Sequence, residues 1–241
     1  MARSIYIASP NAGTGKSTVA LGLVSCLTKV VAKVGVFRPF VESREGDAFL
    51  SLLLNRAGST TPPEQCVGAT WDEFHADPEE ALARIVDAYR AMAREHDVVI
   101  IDGSDFTDVA GNPELALNAR VAANIGVPVL LVVSGQNDVE DVVASVEVSM
   151  AEIADNHART VAVVANKCLP ETRQAVGEAL TAIEGITSTT LPEVPLLAAP
   201  VVREVLDAVE GTLIAGDETL LDREAESVLV CAMDVSHVLE R

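Results

Sequence analysis

The sequence predicts an α/β protein with a doubly wound, mostly parallel sheet held between two helical layers. Short apolar, β-branched runs alternate with longer segments of helical period, the pattern of strands joined by crossover helices. The chain has 241 residues, 49% of them hydrophobic and 3% aromatic, enough for one large core with a modest remainder. A small-residue stretch with two glycines lies between the first apolar run and the first helical segment, where such folds place a ligand loop.

The apolar runs predict strands at 4–9, 34–38, 98–102, 127–134 and 160–166. The helical spacing predicts helices at 16–29, 78–94, 113–123, 138–153 and 171–184. Three of these helices carry start signals: Asp77 before Pro78, Asn112 before Pro113, and Asn137 followed by Asp138, Glu140 and Asp141. Residues 58–72 are richer in Thr, Pro and Gly. They read as an irregular loop with a short strand at 66–68, lying over the C-terminal edge of the sheet. A helix at 200–209 precedes a boundary near 211–216, which gives a first domain at 1–210 and the start of a second at 211–241. That second part begins with a strand at 227–233, then Asp234 and Ser236 capping a further helix. The expectation is a piece of a longer protein, against the alternative of a short native tail.

Charge narrows the partners. Seventeen Lys and Arg stand against 36 Asp and Glu, a formal charge of −19, which argues against nucleic acid and anionic membranes because both need a basic footprint. An anionic ligand must then be held by a local device. Cys26, Cys66, Cys168 and Cys231 are scattered singly, so neither a zinc site nor a disulfide framework is indicated, and they read as buried thiols. The run at 5–8 is too short for a signal peptide, and no run approaches the ~20 residues of a membrane span. A cytoplasmic protein is expected.

The local device is Ala8-Ser9-Pro10-Asn11-Ala12-Gly13-Thr14-Gly15-Lys16-Ser17. Small residues let successive backbone N–H groups face one anion, and the following helix turns its positive end toward it. Asn11 to Thr18 supply that cradle: Asn11, Ala12, Gly13, Thr14 and Gly15 as the loop, Lys16 as the cation for the terminal phosphates, Ser17 as a hydroxyl for Mg²⁺, and Thr18 beside it. Pro10 stands where the G-x-x-x-x-G-K-[ST] pattern has its first glycine, and it removes one N–H donor. The plain alternative is a strand-to-helix turn with a surface lysine. A second signal is the apolar run Val98 to Ile101 ending in Asp102, a carboxylate delivered beside the loop as a metal ligand, with Asp105 a further candidate. Arg38, before Pro39, is a candidate phosphate clamp, and Asn166, before Lys167, a candidate reader of a purine edge. His75, His96, His157 and His237 read as exposed histidines without a role.

These motifs in this order resemble the dethiobiotin-synthetase-like branch of the P-loop NTPase fold. Cys66-Val67-Gly68, His75-Ala76-Asp77-Pro78, the run from Asp102 to Asp108 and the run from Asn118 to Asn124 resemble, more specifically, the N-terminal region of long, multi-domain bacterial phosphate acetyltransferases. Residues 192–203 and 216–241 extend the likeness over essentially the whole chain. The resemblance implies a regulatory, nucleotide-binding-like domain of an acyltransferase of acetate metabolism, with the acyl-transfer centre outside this chain. ATP or another nucleotide with Mg²⁺ is the implied cofactor. A nucleotide or small-metabolite effector, the parent enzyme's other domains and further copies of the chain are the implied partners. Dethiobiotin synthetases have Lys where this chain has Arg38 and Glu where it has Asp102, and partitioning ATPases carry an extra lysine where this chain has Asn11 and Ala12. A stand-alone ATP-dependent ligase and an assembly module with a ligand-free loop are the rival readings.

Overall fold

The computed structural model describes residues 3–44, 46–104, 114–197 and 199–225. Seven strands form one sheet: β1 (Arg3–Ala8), β2 (Val34–Val41), β3 (Val67–Thr70), β4 (Val98–Asp102), β5 (Val129–Ser134), β6 (Thr160–Cys168) and β7 (Thr187–Pro192). Their order is β3-β2-β4-β1-β5-β6-β7, and all pairs are parallel. The central strands are apolar along their length, and Tyr6, Ile7, Ile100, Ile101 and Leu131 are among the most deeply buried side chains. That pattern is what a sheet covered on both faces requires.

The covering helices are α1 (Lys16–Leu27), α2 (Ala48–Ala57), α3 (Trp71–Ala76), α4 (Pro78–Glu95), α5 (Glu114–Ile125), α6 (Val139–Asp155) and α7 (Arg173–Thr181). Right-handed crossovers decide the faces. The connections from β1 through β3 run toward one edge and place α1 and α2 together, whereas every later connection runs the other way and places α4 to α7 in series on the opposite face. The direction reverses around β1, so the loop after β1 opens at the switch point of the sheet.

The chain divides into two compact units, Met1–Glu193 and Val194–Arg241. The described part of the second holds a short helix, α8 (Val202–Ala208), an antiparallel bridge between Val201 and Glu224, and an ion pair between Arg203 Nε and Asp222 Oδ1 at 2.9 Å. The division falls before α8, whereas the sequence reading drew its line after residue 210. The strand expected at 227–233 and the helix expected after it lie outside the described residues.

Several expectations are corrected. The short strand expected at 66–68 is present as Val67–Thr70, but it belongs to the sheet as an edge strand paired with β2, not to a loop lying over it, and Trp71–Ala76 is a helix closed by a capping box between Thr70 and Glu73. Helix α2 was absent from the sequence reading, although Asp47 caps its start and Gly58, at φ +63, ends it. Its near-continuous apolar run hides the helical period. Strand β7 was missed because Thr-Ser-Thr-Thr-Leu-Pro has no apolar alternation, and it is an edge strand with little to bury. Cys66 and Cys168 are buried but Cys26 is exposed, against the expectation for all of them. Burial pushes the Cys66 thiol up to about 11, with Glu64 adding to it. His96 is half-buried, not exposed. Among the described residues no helix is long and apolar enough to cross a membrane.

Candidate functional site

The loop between β1 and α1 folds as its residue types require. Gly13 and Gly15 sit at φ +75 and +80, a region that costs side-chain-bearing residues energy and glycine little. Gly15 is the N-cap of α1 and offers no side-chain acceptor, so the first N–H groups of that helix remain available to an anion. Asn11, Ala12 and Gly13 are exposed, Ser17 is half-buried and Thr18 is exposed. Parallel pairing sets the other wall: Ile7 lies opposite Asp102, and Gly103 N–H donates to the Ile7 carbonyl at 2.9 Å. The end of β4 is thereby held beside the start of the loop.

Lys16 does not lie on the surface. It is 2% exposed, and its Nζ donates to Asp102 Oδ1 at 2.7 Å and to the Gly103 carbonyl. Arg38 reaches the same carboxylate from β2, with Nε 3.3 Å from Asp102 Oδ2. The charges are close but misaligned, and neither atom completes a hydrogen bond among the described residues. Arg38 also donates to Asp47, whose other oxygen accepts from Leu50 N–H at 2.8 Å, and its guanidinium lies 5.8 Å from the Phe49 ring centre. Two cations and two carboxylates thus form one balanced chain: Lys16, Asp102, Arg38, Asp47.

The last turn of β6 closes the loop from the far side. Asn166 Nδ2 donates to the Thr14 carbonyl at 2.9 Å, and Lys167 Nζ donates to the Gly13 carbonyl at 2.8 Å. A Cβ on Gly15 would overlap the Asn166 amide, so the close approach of β6 needs glycine there as well as the positive φ. Lys167 itself has φ +59, an uncommon conformation for a lysine. Asn166, which the sequence reading assigned to a base edge, has its amide turned to the loop backbone.

Below the loop is a buried polar relay that the sequence reading missed. Asn118 Oδ1 accepts from the Tyr6 hydroxyl at 2.6 Å and from Ser104 N–H at 3.0 Å, while its Nδ2 donates to the carbonyls of Ser104 and Glu114. Burial, with Asp102 and Glu114 nearby, holds the Tyr6 hydroxyl well above its usual range, so it stays a donor. A Cβ on Gly103 would come within 2.6 Å of Asn118 Oδ1. The relay therefore fixes the backbone that leaves Asp102. An asparagine inside an otherwise apolar helix stripe was its one sequence signal. Asp47 was likewise missed, since its helix-start position gives no hint of an arginine partner.

The structure thus brings Asn11 to Thr18, Arg38, Asp102 and Asn166 to one place, while Asp105 lies outside the described residues. Loop backbone and helix start suit phosphate. Buried Asp102 Oδ2, unbonded among the described residues, and the Ser17 hydroxyl are the hard oxygen donors that Mg²⁺ takes. The charge chain adds a condition: a cation at Asp102 would meet two positive groups unless an incoming polyphosphate draws Lys16 away.

This fold and loop are those of an α/β domain of the P-loop NTPase type. The AAA domain family matches residues 3–205, and the chain belongs to it. Phosphate acetyltransferases of Synechocystis sp. and Nitratidesulfovibrio vulgaris are each 24% identical to it, over 99% and 100% of this chain. The chain spans 36% of the length of either relative. Among solved structures, a putative plasmid partition protein of Borrelia burgdorferi bound to AMPPNP matches with a TM-score of 0.57 at 14% identity, over 91% of this chain and 94% of that one. The cell-division protein MinD of Aquifex aeolicus matches with a TM-score of 0.54 at 17% identity, over 82% and 84%. At such identities the likeness is one of fold.

Proposed function

We propose that this chain is the N-terminal regulatory domain of a longer phosphate acetyltransferase and that its loop receives the phosphates of a nucleotide with Mg²⁺. The acyl-transfer centre then lies in the rest of the parent protein. The observation that carries the reading is the whole-chain match to phosphate acetyltransferases of which it covers 36%, joined to a loop with the backbone of a phosphate site. With a nucleotide and Mg²⁺ bound, Lys16 would turn from Asp102 to phosphate oxygens, the first N–H groups of α1 would face the phosphates, and Ser17 and Asp102 would supply oxygens to the metal. Arg38 would stay between Asp102 and Asp47.

The complete internal pairing of Lys16 favours a second reading, an assembly module whose loop has no ligand. Calorimetric titration of the chain with ATP and with ADP, each with and without Mg²⁺, separates the two. Saturable binding that needs Mg²⁺ and is abolished in Lys16→Ala supports the nucleotide site. No heat at millimolar nucleotide supports the assembly module. An acetyl-coenzyme A and phosphate assay of the same chain is expected to release no thiol above background, and turnover near 1 s⁻¹ would overturn the placement of the transfer centre.

A further inference from the structure

We infer that the opposite edge of the sheet carries a second anion site, a cleft for a small polyanion bearing two or more carboxylate or phosphate groups. The cleft measures about 1150 Å³ and lies at the N-terminal ends of β1 and β4, away from the phosphate loop. Arg3, Arg90, Arg94 and His96 line it, with Tyr89 and Ser4 at its base. Arg3 is brought there by its backbone N–H, which donates to the Asp97 carbonyl at 3.0 Å. The Tyr89 hydroxyl donates to Ser4 Oγ at 2.9 Å and ties α4 to β1 across the floor.

The arginines are the informative feature. In a chain with 36 acidic residues against 17 basic ones, none of Arg3, Arg90 and Arg94 has an ion-pair partner among the described residues. Arg84, on the same helix, pairs with both Glu73 and Glu80. Arg90 and Arg94 stand four residues apart, which puts two like charges on one face of α4, an arrangement that weakens a helix unless an anion bridges them. The one carboxylate lining the cleft, Asp97, already accepts from Lys33 N–H at 3.2 Å. His96 gives its Nδ1 hydrogen to the Met92 carbonyl at 2.9 Å, which fixes the ring at the cleft wall. Guanidinium forks in a concave site match carboxylate and phosphate oxygens. The chain as a whole, at a formal −19, repels nucleic acid and anionic membranes, so a compact ligand fits and an extended polyanion does not.

Citrate and pyrophosphate serve as the probes, one for each source of negative charge, titrated calorimetrically into the whole chain at low ionic strength. Wild-type chain is expected to bind at least one of them saturably, at sub-millimolar to millimolar concentration. Arg90→Gln/Arg94→Gln is expected to weaken that binding about tenfold or more, with an unchanged thermal midpoint as the control for folding. Pyrophosphate taken up by the phosphate loop is separated by the same variant: binding that survives Arg90→Gln/Arg94→Gln belongs to the loop, and only the binding it loses belongs to this cleft. Which probe binds tells carboxylate from phosphate preference. Absence of saturable binding by both probes, or equal affinity and stoichiometry in the double arginine variant, would each overturn the inference.

Discussion

The two edges of the sheet treat positive charge in opposite ways. At the C-terminal edge Lys16 and Arg38 are buried, and their charges are matched by Asp102 and Asp47. At the N-terminal edge Arg3, Arg90 and Arg94 are exposed in an open cleft and unmatched among the described residues. Burial explains the contrast. A charge removed from water must be paired or it destabilises the fold, whereas an exposed arginine keeps its hydration and can wait for a ligand. The buried edge is therefore held together by its charges, and the open edge merely carries them.

The strongest way to break this comparison is to remove the shared carboxylate. Asp102→Ala leaves buried Lys16 without a carboxylate partner and Arg38 with Asp47 alone, and the expected loss of unfolding free energy in denaturant titration is roughly 3–5 kcal/mol. A loss below about 1 kcal/mol would mean that the network is solvated in solution and that the two edges do not differ. Gly15→Ala comes next, because it combines φ +80 with an overlap on Asn166. About 1–3 kcal/mol is expected, measured the same way. Adding Asn166→Ala should recover part of the loss, since it relieves the overlap but not the backbone strain.

A smaller effect sharpens the picture of the relay beneath the loop. Tyr6→Phe removes one donor from Asn118 while the Ser104 N–H remains, so about 1 kcal/mol of destabilisation is expected. Acid titration adds the paired glutamate in the first turn of α3. The Thr70 backbone N–H, followed by Arg44 and Arg84, holds the Glu73 carboxyl below its ordinary value of 4.5. A group with a depressed folded value contributes stability above its unfolded pKa and loses it as pH falls through the folded one. Glu73→Gln should therefore flatten the fall in thermal midpoint below about pH 4.5 and leave the midpoint at pH 7 lower than wild type. Smallest of all, Arg90→Gln/Arg94→Gln should change stability by no more than about 0.5 kcal/mol in either direction. A large loss there would show those arginines to be structural.

Much of the candidate site was legible because it is local in the chain. Strand, glycine-bearing loop and Lys-Ser helix start are consecutive residues, and two glycines with a following helix have few ways to fold. Asp102 was legible for a similar reason, as the first polar residue after a buried strand. What escaped were partners that meet only once strand and following helix have packed. Asp47 and Asn118 sit 9 and 14 residues in sequence from Arg38 and Ser104, which they bond, and neither carries a motif. One edge of the fold escaped too, since β7 is polar, and periodicity speaks only where an element has one face to bury.

The sequence by itself determined the alternation of strand and helix, the phosphate-type loop, and an acidic chain poor in sites for polyanionic surfaces. Those follow from patterns of a few neighbouring residues and from composition, which no folding step alters. Only the tertiary structure decided that Lys16 turns inward to Asp102, that Asn166 braces the loop backbone, and that three arginines without ion-pair partners among the described residues share a cleft. Each of those depends on which strands lie side by side and in what register. Parallel pairing brings residues more than 80 positions apart within hydrogen-bond reach, as it does for Lys16 and Asp102, and charge finds its partner only after that pairing is made.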